Sequence, residues 1–563
     1  MSAELMIETT EPRASHAATL PEAFHMTVAR HPDRAALLTY GRDDELTWRQ
    51  YDERVRAVAA GLAGLGVKRG DTVATMLTNR PEAFIVDTAA LHLGAVPFSV
   101  YNTSSPEQIS YLFGNAGNKI VITEQLFLPA IAAAGTGVET VISIDGGAGT
   151  MALADLEGEA AGGFDFEASW RAIAPQDVLT LIYTSGTTGP PKGVELTHAS
   201  MLAELRGCHA VIPARQGDRS VSYLPAAHVA DRWYSHYTSM TFGHTVTYVP
   251  DQKALVATLP EVRPTVWGAV PRVWEKIKAA LEARGITDPS ALPEEARQGV
   301  RQLIGLDDVR WAVSGAAPIA PEVLRFFAGL GLPICELWGM SELSCCATIN
   351  PPDDIRIGTV GKALPGIELS VAGDGELLVR GPLLMRGYRG QPGKTAETID
   401  ADGWLHTGDV VTMDDGYVTI VDRKKELIIN AAGKNMSPAN IEQTLKASHA
   451  LIGQAVVIGD RRPFNVALLV LDPDVCAAYA EKAALTDGSA AALARDAGVQ
   501  QQIAAAIEAA NARLSRVEQI KKYRVLETDW LPGGDELTPT MKLKRRSIGE
   551  KYAPVIEELY AGV

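Results

Sequence analysis

Across the first part of the chain, short apolar runs recur between helical patterns, and this alternation constrains the fold more than any other feature. The runs fall at residues 72–77, 96–100, 120–123 and 141–144. Val55, Val58, Leu62 and Leu65 share one helical face, and Gly66 is placed to end that helix in a left-handed conformation. Turn residues such as Gly70-Asp71 and those at 115–118 separate the runs from the helices. Strands alternating with helices predict α/β layers built on mainly parallel strands. At 563 residues, a guide of about 150 residues per domain sets three or four units as an upper bound.

Residues 374–422 carry a different rhythm. Strand-like pieces at 376–380 and 417–421 are punctuated by Gly and Asp, which predicts a more antiparallel subdomain. The charged cluster Asp422-Arg423-Lys424-Lys425-Glu426 marks a domain boundary. Beyond it, Ser437-Pro438 reads as a helix start, with Ser as cap and Pro in the first turn. Strand patterns at 455–458 and 466–471, an Ala-rich helical stretch at 489–514 and a basic tail follow.

Composition narrows the function. Apolar residues make up 46% and charged residues 21%, a globular balance that excludes disorder, collagen and coiled coil. A net charge of −16 argues against a duplex nucleic acid partner, which needs a basic footprint. The five cysteines are odd in number, lack C-x-x-C spacing and predict no disulfide framework. No apolar h-region opens the chain, and no run approaches the roughly 18 apolar residues of a membrane span. The expected location is the cytoplasm.

The most informative stretch is Tyr183-Thr184-Ser185-Gly186-Thr187-Thr188-Gly189-Pro190-Pro191-Lys192-Gly193, after a β-run at 178–182 and before a helical pattern near Thr197. Four hydroxyls, three glycines and one lysine fall within ten residues. Glycines let backbone N–H groups turn toward an anion, hydroxyls donate hydrogen bonds, and lysine adds a point charge. The combination suits a polyphosphate. It is not a Walker A loop, because Pro191 precedes the lysine and Gly193 follows it.

With this segment the sequence resembles the AMP-forming acyl adenylating enzymes, which include acyl-CoA synthetases, firefly-type luciferases and peptide-synthetase adenylation domains. Ser314-Gly315-Ala316-Ala317-Pro318 is similar to the adenine-side segment, and Trp338-Gly339-Met340-Ser341-Glu342 to the aromatic-Gly-x-Thr/Ser-Glu motif. Thr407-Gly408-Asp409 and Asp422-Arg423 resemble the two ribose-contacting motifs. Lys542 falls in a phrase similar to the C-terminal lysine motif of long-chain synthetases, although many family members have Gly-Lys where this chain has Met541-Lys542. The motifs occur in family order over nearly the whole chain.

The resemblance implies a large N-terminal domain, 1–423, of layered sheets and helices, which binds ATP and the acyl group. It also implies a small mobile α+β domain, 424–563, that carries a catalytic lysine. A carboxylate attacks the α-phosphate of ATP, and a thiolate then displaces AMP. Mg²⁺ would be held by Glu342 with help from the Thr184 hydroxyl, the nucleotide phosphates by residues 184–189 and Lys192. Asp409 and Arg423 would contact the ribose, and the π face of Trp338 the adenine. Lys542 would bridge carboxylate and α-phosphate, with Lys544 as the alternative within the basic tail. His228 matches the position beside the acyl carboxylate. Lys425 corresponds to the hinge and Gly433 to the loop presented to the thiol. Trp233 shapes the entrance of an acyl tunnel or packs in the core.

ATP, Mg²⁺ and CoA are the implied cofactors. Val270-Pro271-Arg272-Val273-Trp274-Glu275-Lys276-Ile277 and residues 423–428 look like long-chain and bubblegum-type synthetases, so the expected substrate is a medium- to long-chain fatty acid. A steroid side-chain acid or an aryl acid is the alternative. No phosphopantetheine signature follows the tail, which favours CoA over a carrier protein as acceptor. The same basic tail is a weak signal for peripheral membrane association. A non-catalytic nucleotide sensor on the same fold is disfavoured by the full set of motif residues.

Overall fold

Strands buried on both faces read as unbroken apolar runs, and the four early runs pair as such strands do. The computed structural model describes residues 13–159, 162–184, 190–430, 435–538 and 541–561. Thr72–Met76 lies between Val96–Ser99 and Ile120–Thr123, and Thr140–Ser143 and Met151–Ala152 complete a five-stranded sheet with every pair parallel. Helix Trp48–Gly64 packs over it, opened by a Thr47–Gln50 capping box. Gly66 follows at φ 85°, the left-handed turn expected there. Helix Pro81–His92 is buried at every position but Glu82, as a helix enclosed by layers must be.

A second five-stranded sheet begins with parallel strands Val266–Ala269, Trp311–Ser314 and Ile334–Trp338 and continues into two antiparallel ones. Strands Glu368–Val371, Glu376–Arg380, Leu405–Asp414 and Tyr417–Arg423 then form the expected antiparallel sheet. A mixed sheet joins distant segments: Ala35–Thr39 pairs in parallel with Thr245–Tyr248.

Past the charged cluster, two hydrophobic cores draw their buried residues only from positions 428–559. Helix Pro438–Ser448 starts as expected, with the Ser437 hydroxyl accepting from Asn440 N–H. Ile452–Ile458 and Asn465–Leu471 pair antiparallel, and Ile520–Val525 adds in parallel. One expectation is refined here. The Ala-rich stretch is two helices, Ala490–Leu493 and Ala497–Arg513, because Asp496 caps the second by accepting from Val499 N–H. The basic segment that follows is folded. Leu537 bridges Leu543, helices Arg545–Lys551 and Ala553–Tyr560 follow, and Ile548, Ile556 and Leu559 are buried beneath them.

All five cysteines are buried and unpaired. Among the described residues, no helix is long and apolar enough to cross a membrane.

Candidate active site

A hairpin flanks the glycine- and hydroxyl-rich segment. Strands Val178–Thr184 and Lys192–Thr197 pair antiparallel, so Thr184 faces Lys192 across the ladder, and Thr197 caps helix His198–Val211. The expected helix is present, and a return strand precedes it. Ser185, Gly186, Thr187, Thr188 and Gly189 lie outside the described residues.

Lys192 is tied to Glu342 through a residue that motif reading missed. Tyr388, on the edge strand Gly387–Tyr388 against Val194 and Glu195, donates its hydroxyl to Glu342 Oε1 at 2.8 Å. The Lys192 ammonium stands 3.9 Å from the centre of the same ring. Burial lowers the Lys192 pKa, against the opposing pull of Glu342. Nothing in the run around Tyr388 flags it, because its partners are supplied by strand pairing. Glu342 is buried in a short turn that depends on a close backbone approach. A Cβ on Gly339 would meet the Cys345 carbonyl oxygen at 1.9 Å. Ser344 and Cys345 both adopt positive φ in this turn. Met340 and Ser341 are half-buried beside them.

Asp409 and Arg423 face each other across strands Leu405–Asp414 and Tyr417–Arg423, with Arg423 Nε 2.6 Å from Asp409 Oδ1. The Trp338 indole N–H donates to Asp409 Oδ2 at 2.8 Å. Trp338 is buried and held edge-on by that bond, an arrangement not legible in a reading that gave it only a stacking face. Desolvation raises the Asp409 pKa, and Arg423 and Trp338 oppose it. Gly315, Ala316 and Ala317 follow strand Trp311–Ser314, with Ala316 exposed in a left-handed conformation at φ 68°.

Lys542 enters from a tight hairpin. Thr538 N–H donates to Lys542 O, Lys542 N–H donates to Thr538 Oγ1, and Met541 N–H donates to Thr538 O. Its side chain reaches solvent in a region crowded with protein atoms. Desolvation and then the Arg423 charge lower its pKa, while Asp409, Glu342 and Glu426 pull the other way. Among the described residues none pairs with its ammonium. The neighbouring bases are engaged in the fold. Lys544 Nζ donates to Gly534 O at 2.7 Å, Arg545 makes two 2.6 Å bonds to Glu442, and Arg546 pairs with Glu550.

Met541 stands at φ 64°, which explains why glycine is common before the lysine in similar sequences. A left-handed conformation costs a non-glycine residue on the order of 1 kcal/mol, and Met541 is 44% exposed, so little packing is lost on truncation. Met541→Gly is therefore expected to be neutral to about 1 kcal/mol stabilising. Met541→Val, β-branched at positive φ, is expected to destabilise. Thermal melts of the two variants check the pair, and a glycine variant less stable than the valine one would contradict the strain.

His228 caps a short helix with Nδ1 accepting from Ala230 N–H at 3.1 Å, which leaves the proton on Nε2. Desolvation and the nearby Lys542 charge drop its pKa to about 4. A neutral imidazole with Nε2–H as a donor results. Trp233 is buried in the largest core, within a π-helical turn.

Lys425 is exposed between two anchored neighbours. On one side Lys424 pairs with Asp374 and with Glu376; on the other Glu426 pairs with Arg545. Gly433 lies outside the described residues. Lys192, Glu342, Asp409, Arg423, His228 and Lys542 thus lie within electrostatic reach of one another, with Thr184 opposite Lys192 on its hairpin.

The AMP-binding enzyme family matches residues 24–389, and the AMP-binding enzyme C-terminal domain matches 425–563. A putative fatty-acid–CoA ligase, fadD11, of Mycobacterium tuberculosis is 53% identical over 451 residues, covering 73% of this chain and 79% of that protein. The long-chain-fatty-acid–CoA ligase FadD15 of Mycobacterium bovis is 36% identical over 595 residues, covering 95% and 98%. Among solved structures, the Bacillus subtilis O-succinylbenzoate coenzyme A synthetase in complex with ATP and magnesium superposes with a TM-score of 0.72 at 23% identity, over 93% of this chain and 98% of that one, a likeness of fold. The chain belongs to the AMP-binding enzyme family.

Proposed function

We propose that this chain is an ATP-dependent, AMP-forming acid–CoA ligase acting on a medium- to long-chain fatty acid. The observation that carries the reading is the ammonium of Lys542, which has no partner among the described residues and is held by a C-terminal hairpin within electrostatic reach of Glu342, Asp409, Arg423 and His228. In the first half-reaction a carboxylate oxygen attacks the α-phosphorus of ATP. The bond from that phosphorus to the pyrophosphate oxygen breaks, giving acyl-AMP and pyrophosphate. In the second, a thiolate attacks the acyl carbon and the bond to AMP breaks.

Two anions must approach in the first step, and the side chains supply what that needs. Lys542 neutralises charge between carboxylate and α-phosphate, and His228 Nε2–H donates to the carboxylate. Asp409, already oriented by Arg423 and Trp338, accepts from ribose hydroxyls. Lys192 answers the distal phosphates. Glu342 and Thr184 offer a buried carboxylate and a hydroxyl, hard oxygen donors that fit Mg²⁺, which when bound offsets phosphate charge. Lys425, free between anchored neighbours, is the pivot we assign between the domains 1–423 and 424–563. Five unpaired buried cysteines support a cytoplasmic location. The fatty acyl preference is carried over from the printed names of the relatives.

The test is pyrophosphate release from ATP with a panel of acids, followed by CoA. Release with C8–C18 fatty acids and thioester on CoA addition is the expected result. Acid-dependent release without thioester would turn the reading to a carrier-protein acceptor, and release only with aryl or steroid acids would overturn the fatty substrate.

A further inference from the structure

We infer that Asp422 is a positioning residue, a latch that holds the Lys542-bearing part of the chain in the arrangement adenylation needs. The inference rests on the proposed function and on the pivot at Lys425. Asp422 is the next-to-last residue of its strand, just before Arg423, is 4% exposed, and uses Oδ1 to accept from Arg423 N–H. Its Oδ2 reaches forward past the pivot. It accepts from the Ser437 hydroxyl at 2.5 Å and from Ala439 N–H at 3.1 Å, both at the N-terminus of helix Pro438–Ser448. A carboxylate there also meets the positive end of the helix dipole.

That helix carries the lysine hairpin with it. Glu442, one turn on, accepts two bonds from Arg545, three residues beyond Lys542, and a third from Val457 N–H. Arg545 also binds Glu426, the first residue past the pivot. Helix, sheet and hairpin are thereby one body. A turn at Lys425 leaves every one of these bonds intact, because both partners lie beyond it. The Asp422 bonds join a residue before the pivot to residues after it, so they must break.

Other pairs crossing the same boundary are wetter. Lys276–Asp474 and Arg513–Glu322 have side chains 38–72% exposed, and such pairs contribute little. Arg272 pairs with Asp472 at the boundary's edge, with the arginine more than a third exposed. Bonds to a buried charged acceptor are the stronger kind. Losing them does not unfold the helix, since Ser437 still caps Asn440.

The experiment measures the two half-reactions separately in the full chain. Asp422→Ala is expected to slow acid-dependent pyrophosphate release about tenfold or more, while thioester formation from supplied acyl-AMP and CoA is unchanged or faster, the pattern of a shifted domain equilibrium. Ser437→Ala should move the same way by less, and the double variant should be less than additive. Equal loss in both half-reactions, or no change in either, would overturn the latch. If Asp422→Ala does not fold, the half-reaction split of Ser437→Ala decides alone. Wild-type protein that releases no pyrophosphate with any acid would instead defeat the functional reading, and normal release by Lys542→Ala would defeat the lysine assignment.

Discussion

Lys542→Ala is expected to lower acid-dependent pyrophosphate release by on the order of 10²–10³-fold, the loss typical of one preorganised charge aimed at a developing anion. The same variant should still convert supplied acyl-AMP and CoA to thioester at near the wild-type rate, because that step forms no bond at the α-phosphorus. Lys544→Ala should spare adenylation chemistry and act on stability, since its ammonium is committed to the Gly534 carbonyl. The pH dependence adds a second readout. Lys542 is held below the ordinary lysine value of 10.5, first by desolvation and then by Arg423. Its charged form is therefore lost as pH rises through a value below 10.5, and adenylation should fall on that alkaline limb while thioester formation does not. Lys542→Arg, slower overall, should move the limb upward because guanidinium stays charged. His228, with a pKa near 4, is already neutral at pH 6.5 and should contribute no inflection there. An unchanged rate in Lys542→Ala together with a failing Lys544→Ala would exchange the two roles.

Much of the architecture is legible because local rules and burial agree. The runs at 72–77, 96–100, 120–123 and 141–144 sit within a residue of their strands, since parallel strands covered on both faces need continuous apolar sequence. The Ser437-Pro438 start works for a similar reason, as capping chemistry is local. What escapes sequence reading is set by distant partners. Ala35–Thr39 finds its neighbour more than 200 residues away, and no local pattern specifies that pairing. Tyr388 joins Lys192 to Glu342 only because its short edge strand docks on Val194 and Glu195. Trp338 and Asp409 each stand out by motif, but the bond between them depends on two sheets meeting. The choice between Lys542 and Lys544 has the same character. Both lie in one basic run, and the Leu537–Leu543 bridge sets one near Asp409 and Glu342 and the other on Gly534.

Arg232→Met is expected to destabilise the protein by about 3–5 kcal/mol, the cost of leaving a buried charge without its partner. Arg232 and Asp87 are 2% and 3% exposed and paired at 2.6 Å. The guanidinium also donates to Tyr237, Ser99 and the Ala226 carbonyl. Among the described residues Asp87 has no second cation to turn to. His236 Nδ1 stands 3.6 Å from Asp87 Oδ1, but burial and Arg232 hold that imidazole neutral, and Oδ1 makes no hydrogen bond. Desolvation already raises the Asp87 carboxyl against the pull of Arg232, so without the arginine it should rise further and fold in the protonated form. The sign follows: a carboxyl whose folded pKa exceeds its unfolded value binds more protons when folded, so the deficit should shrink as pH falls from 8 toward 5. Asp87→Asn with Arg232→Met should recover most of the loss at pH 8, because no buried anion remains. Denaturant unfolding of the single and double variants at both pH values checks this, and a single-variant cost below 1 kcal/mol that ignores pH would refute the ion pair's role. Activity should follow stability only in part. The arginine bond to Ala226 O steadies the backbone two residues before His228, so the double variant, though refolded, should still bind its acid less well than wild type.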